Sequence, residues 1–178
     1  PHAILHTGTT DSIAAFLAAA PLEAGVAVTS LGSTLAVKAL SATRIDDARM
    51  GLYSHKVGDV WLAGGASNTG GAVLAAHFTG EELAALSEGL ESDPDTGLDY
   101  YPLLRPGERF PVNDPDLAPR LDPRPESDRI FLRGMFEAMA RIEAECYAAI
   151  EARGGGTPHV IYSAGGGAQK PAWTDMRE

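Results

Sequence analysis

Four segments of this sequence are crowded with glycine, serine and threonine, and one of them carries an aspartate. They are Thr7-Gly8-Thr9-Thr10-Asp11-Ser12, Thr29-Ser30-Leu31-Gly32-Ser33-Thr34, the run from Gly64 to Gly71, and Ala164-Gly165-Gly166-Gly167-Ala168. Small residues let a backbone approach a ligand closely, and a helix that follows can direct its first N–H groups at an anion. A carboxylate at position 11 could accept a proton from a substrate hydroxyl. Each segment also has a plainer reading. Asp11 or Ser12 could simply cap a helix, and hydroxyls are common in ordinary hairpin tips. Four such turns with one aspartate fit phosphoryl transfer, a reaction that depends on positioning, a metal and electrostatics more than on covalent groups.

Other chemistries find less support. The glycine runs match neither a Walker A sequence nor a G-x-G-x-x-G fingerprint, and Ser12 lies in no G-x-S-x-G elbow. The five histidines are scattered without metal-ligand spacing. A net charge of −10 offers no basic stripe for nucleic acid, and it obliges any anionic ligand to be held by local N–H groups, a helix terminus or a metal ion. Cys146 is the single cysteine, so no internal disulfide can form, which fits a cytoplasmic protein; its place on an apolar helix stripe predicts core packing. No apolar run approaches the ~18 residues that cross a bilayer.

The elements that must position these turns follow from periodicity. Residues 3–7 read as a strand, followed by a helix from Asp11 with Ile13, Phe16, Leu17 and Ala20 on one face. Residues 26–30 and 35–40 predict one hairpin, and 52–57 with 60–65, joined by Gly58-Asp59, a second. A helical stretch follows Gly71, and Thr79 with Glu82 forms a capping box for a helix over 81–90. Residues 92–125, rich in Pro and Asp, predict a long loop of the kind that is functional or lies across a neighbouring surface. Over 127–152 the pattern predicts the longest helix, capped by Ser127, with Ile130, Phe131, Met135, Phe136, Met139, Ile142, Cys146 and Ile150 as its core stripe. A strand over 159–163, the glycine loop and a final helix complete a mixed sheet with helices packed on it.

Six strings in order, TGTTDSIAAFLA, AVTSLGSTLAVKALS, GLYSHKVGDVWLAGGASNTGGAVL, DYYPLLRPGERFPVNDPDL, RPESDRIFLRGMFEAMARIE and YSAGGGAQKPAWTDMRE, resemble the C-terminal, ATP-binding domain of the FGGY carbohydrate kinases, in particular D-ribulose kinase and xylulose kinase-like members. The resemblance spans nearly all of residues 1–178. It implies an α/β fold of the ribonuclease H-like, actin-like class, with two domains closing over ATP and sugar. By it, Asp11 is the catalytic base, Gly32, Ser33 and Thr34 face the transferred phosphate, Gly65 and Thr69 fall in a segment lining the nucleotide, and Gly166, Gly167 and Ala168 form the loop beneath the adenosine.

The same resemblance implies ATP and Mg²⁺ as cofactors, no metal ligands within the chain itself, and a ketopentose substrate, D-ribulose ahead of D-xylulose. The GER element at Gly107-Glu108-Arg109 is left without a role, a structural brace being one reading of it. Gly134 stands where the family has Ala or Ser, and Pro171 where some relatives have a polar residue near the adenine. The sequence begins at Pro1 without Met and ends at Glu178 inside a predicted helix, so both ends read as cuts; the family's N-terminal, sugar-binding domain is absent from it, and the chain alone is expected to be inactive. An actin-like ATPase switch or scaffold that phosphorylates no sugar is the alternative.

Overall fold

The computed structural model describes residues 8–177. The strand expected over 3–7, with Thr7 of the first turn, lies outside the described residues. Two hairpins form the body of the sheet: β1 (Val26–Leu31) with β2 (Leu35–Ser41), and β3 (Tyr53–Val57) with β4 (Val60–Ser67). β5 (Val160–Ala164) joins the far edge, giving the order β3-β4-β2-β1-β5. Neighbours are antiparallel except β5, which runs parallel to β1 with Val26 opposite Val160. This is the mixed α/β sheet of a ribonuclease H-like domain.

Because side chains alternate along a strand, each face of the sheet takes its own helix. On one face α1 (Asp11–Ala19) sets Ile13 and Phe16 against Val26, Val28, Leu40 and Leu62. Leu17, expected on the same stripe, is exposed, since it lies ~100° around the helix from the buried Phe16. On the other face lies α4 (Asp128–Glu151), whose Ser127 hydroxyl accepts from the Ile130 N–H. Phe131, Met135, Phe136, Met139, Ile142, Cys146 and Ile150 are buried there. Each such side chain contributes about 1.5–3 kcal/mol of burial. Ile130 departs from the expected stripe at 47% exposed, since it lies ~100° around the helix from Phe131. Burial in this core pushes the Cys146 thiol well above its ordinary range, so it stays protonated and inert.

Three short helices flank the glycine turns: α2 (Gly71–His77), α3 (Gly80–Ser87) and α5 (Pro171–Asp175). The capping box of α3 forms as read, with Thr79 and Glu82 exchanging bonds, although the helix stops at Ser87 and a 3-10 turn over Leu90–Ser92 follows. The final helix is short, and Pro171 occupies its first turn, where a missing N–H costs nothing.

The long stretch after Ser92 is irregular, yet it is core. Tyr100, Leu103 and Phe110 are buried, and the Leu98 and Tyr100 side chains come so close to Gly134 that a Cβ there would stand 2.9 and 3.0 Å from them. A loop packed on α4 explains the glycine in that helix. Near the glycine loop, Glu143 and Arg177 form a buried ion pair, with Arg177 also donating to the Ser163 hydroxyl at 2.7 Å and Thr29 bonded to both Glu143 and Tyr147. One cluster therefore ties β1, β5, α4 and the segment after α5 together.

Candidate functional site

The β1–β2 turn is held rigidly from the side. The Gly71 and Ala72 N–H groups at the start of α2 donate to the Gly32 and Ser33 carbonyls at 2.9 and 3.0 Å, and the Leu35 N–H donates to the Thr69 carbonyl at 2.8 Å. Gly70 permits this contact: its φ is +139°, and a Cβ there would lie 2.8 Å from the Thr34 backbone. The first N–H groups of α2 are thus committed to the turn and are not free to bind an anion directly. Within the turn, the Ser33 and Thr34 N–H groups have no acceptor among the described residues.

Two cavities open on either side of this turn. The larger, about 740 Å³, is lined by Gly32 and Ser33, by Gly71, Ala72, Leu74 and Ala75 of α2, and by Gly166, Gly167 and Lys170. Its floor is an aromatic pair, Phe136 and Trp173, stacked with centroids 5.5 Å apart. Trp173 Nε1 is buried there without a partner among the described residues. Gly167 must be glycine for the loop to lie so low, because a Cβ would meet Leu31 at 2.6 Å and Trp173 at 2.7 Å. A volume of this size, apolar with a few polar groups, suits a cofactor-sized ligand with a flat ring system.

The smaller cavity, about 450 Å³, contains Asp11, Ser12, Ser30, Thr34, Lys38, Tyr53 and Arg109. Asp11 is the first residue of α1, exposed, with Oδ1 accepting from the Ser12 N–H at 2.8 Å. The capping position is Thr10, whose side chain makes no capping bond, and the second Asp11 carboxylate oxygen has no hydrogen-bond partner among the described residues. Lys38 projects from the middle of β2 at 4% exposed, its Nζ 4.0 Å above the Tyr53 ring and without a hydrogen-bond partner among the described residues. Burial pushes its ammonium down to about 8. Its charge, after burial, also helps to lower His55.

Arg109 reaches the same cavity through a brace. Glu108, 2% exposed, accepts from Ser67 Oγ and the Asn68 N–H at 2.6 Å, the Arg109 N–H at 2.7 Å and the Tyr101 hydroxyl at 3.0 Å. Asn68 in turn donates to the Gly107 carbonyl at 2.9 Å and accepts from Arg109 Nε at 2.6 Å. The GER element therefore clamps the end of β4, which leads directly into the Gly70-Gly71 contact with the β1–β2 turn.

The sequence-derived site residues separate into three groups. Asp11 and Thr34 come together in the smaller cavity, and Gly32, Ser33, Gly166 and Gly167 in the larger. Ala168 lines neither. Gly65 lies within β4 against Phe110, where a Cβ would stand 2.6 Å from the ring, and Thr69 is buried, donating its N–H to Ser67 Oγ at 3.1 Å. These two support the turn from behind, and Gly71 and Ala72 of the same segment reach the cavity instead. Sequence reasoning missed Lys38, Tyr53, Lys170, Phe136 and Trp173. Lys38 had one available signal, a lysine in the middle of an otherwise apolar strand.

No protein-family model matches the chain. Among solved structures it is similar to a xylulose kinase from Brucella ovis, with a TM-score of 0.73 and 21% identity over 87% of this chain and 33% of that one. A xylulose kinase from Rhodospirillum rubrum gives 0.71 and 23% over 87% and 33%. Glycerol kinase from Plasmodium falciparum, solved with ADP, gives 0.69 and 16% over 88% and 33%. At these identities the likeness establishes the fold: the chain has the fold of a domain of sugar and glycerol kinases, and it spans about a third of their length. No described helix is long and apolar enough to cross a membrane.

Proposed function

We propose that this chain is the ATP-binding domain of an FGGY-family carbohydrate kinase that phosphorylates a ketopentose, D-ribulose first and D-xylulose second. The observation that carries the reading is the β1–β2 turn standing between two cavities, Gly32 and Ser33 on one side and Thr34 with Asp11 on the other. ATP occupies the larger cavity, its adenine over the Phe136–Trp173 floor and its phosphates at the turn. In the smaller one, Asp11 takes the proton from a terminal sugar hydroxyl as that oxygen attacks the γ-phosphorus in line, and ADP leaves on the other side. The Ser33 and Thr34 N–H groups offer hydrogen bonds to the transferring group.

Among the described residues no three His, Cys, Asp or Glu side chains come together to hold a metal. Mg²⁺ would therefore be held mainly by the nucleotide's phosphates, where it neutralises charge, with Asp11 the one carboxylate lining either cavity. The remaining sugar contacts belong to an N-terminal domain of the whole protein, and the 178-residue chain alone is inactive. A kinase of this kind works in the cytoplasm, where ATP is supplied.

The test is ATP consumption by the full-length protein with Mg²⁺ across ketoses, polyols and aldoses. A response to one ketopentose that Asp11→Asn removes is the expected result. ATP use indifferent to every sugar would replace this reading with an ATPase switch.

A further inference from the structure

A buried cation without a partner requires a physical explanation, since the desolvation cost of the ammonium is uncompensated. Lys38 is such a group, and it is built into the Asp11 cavity. Thr34, Ala36 and Lys38 alternate along β2 and line that cavity together, as a period of two requires. The other cation of the cavity, Arg109, already donates to Asn68 and to the Ser67 carbonyl. Lys38 has only the Tyr53 ring beneath it. Tyr53, Asp11 and Arg109 line the cavity with Lys38, and His55, which also feels Asp46, lies close by; Asp11 is the one carboxylate among the residues lining the cavity. It forms no ion pair with Lys38, nor does any other described carboxylate.

Four residues of strand, roughly 13 Å, separate Lys38 from Thr34. A five-carbon chain spans roughly 5 Å between its terminal carbons. A sugar whose reacting hydroxyl lies at the turn beside Asp11 therefore extends its other end along β2 toward Lys38, whose ammonium stands across the sheet over the Tyr53 ring in the wall of the same cavity. An ammonium is a donor only, so its partner must be an acceptor.

We propose that Lys38 is a specificity-determining residue that touches the substrate, donating to the carbonyl oxygen at the end of a ketose remote from the hydroxyl that receives the phosphate. The inference rests on the kinase reading above and adds to it a reason for choosing a ketose over the polyol of the same carbon skeleton. A carbonyl offers two lone pairs and no proton of its own. A hydroxyl must turn its proton away from Lys38 and find it another acceptor in a confined space.

The experiment compares a ketopentose with its pentitol, and with the aldonate of the same length, as substrates of the full-length protein, its Lys38→Met variant and its Lys38→Arg variant. Wild-type protein is expected to favour the ketose in kcat/KM by about tenfold or more. Lys38→Met should bring the ratio close to one by losing turnover of the ketose, with KM for ATP unchanged and thermal unfolding intact; Lys38→Arg should fall between. An unchanged ketose-to-pentitol ratio in a folded Lys38→Met protein overturns the proposal, and preference for the aldonate overturns the carbonyl assignment. No ATP consumption with any sugar by the wild type would instead count against the kinase reading. In that event calorimetric titration of the wild type and of folded Lys38→Met with the ketose decides for Lys38: weaker binding by the variant supports the contact, and equal binding overturns it.

Discussion

On one side of the β1–β2 turn the walls are mostly glycine, alanine and leucine, with Ser33 and Lys170, over a stacked Phe136–Trp173 floor; on the other they carry Asp11, Lys38, Arg109 and the hydroxyls of Ser12, Ser30, Thr34 and Tyr53. Lining of this kind would make the first cavity select by shape and the second by charge and hydrogen bonding. A shape-selective wall is made by what is left out, so its key residues are glycines whose Cβ would collide. A charge-selective wall is made by what is kept without a partner, so its key residues are polar groups that the protein does not satisfy. The same rigid turn serves both because backbone bonds from α2 and Thr69, rather than side chains, hold it.

The strongest way to break this contrast is Asp11→Asn in the full-length protein. It is expected to lower kcat by ~10²–10⁴ while leaving nucleotide affinity unchanged, as read by steady-state kinetics and nucleotide titration. Equal turnover by the variant would remove Asp11 from the chemistry. Glu108→Ala should disturb both sides at once. It leaves the Ser67, Asn68, Arg109 and Tyr101 donors without their acceptor, so denaturant unfolding should show a loss of about 3 kcal/mol. A loss within error would mean the GER element braces nothing.

Gly167→Ala probes the larger cavity alone. Its methyl group must displace Leu31 or the Trp173 ring, at a cost of about 1–3 kcal/mol, and should weaken nucleotide binding about tenfold with little effect on the sugar side. Calorimetry with ADP and with sugar separates the two. Lys38→Met removes the buried cation of the smaller cavity. Burial holds the folded ammonium near 8 against 10.5 for an ordinary lysine, so the charged form is penalised in the folded state below pH 8. Stability should rise as pH climbs from about 8 to about 10.5, by about 1–3 kcal/mol, and the variant should lack that rise while being more stable at pH 7. Thermal melts across this range check it.

Much of the framework was legible because it rests on local patterns. Alternation gave both hairpins, Gly58-Asp59 marked the second turn, and Thr79 with Glu82 announced the start of α3. The misses share a different origin. Ile130 and Leu17 satisfied an apolar spacing but not the helix angle, which is set by what the helix packs on. The stretch after Ser92 looked like surface because its apolar residues have no period, yet Tyr100 and Phe110 are held by a core assembled from other segments.

For the site, composition by itself marked the glycine-rich turns and singled out Asp11, since small residues and a carboxylate are visible as letters. Which turns share a cavity was decided only by the tertiary structure, because β1 and the loop before α5 lie more than a hundred residues apart and meet through the parallel pairing of β1 with β5. The fold alone also made Glu108 a brace and Lys38 an unpartnered cation. A side chain's charge is written in the sequence, but its solvation and its partners come from distant neighbours.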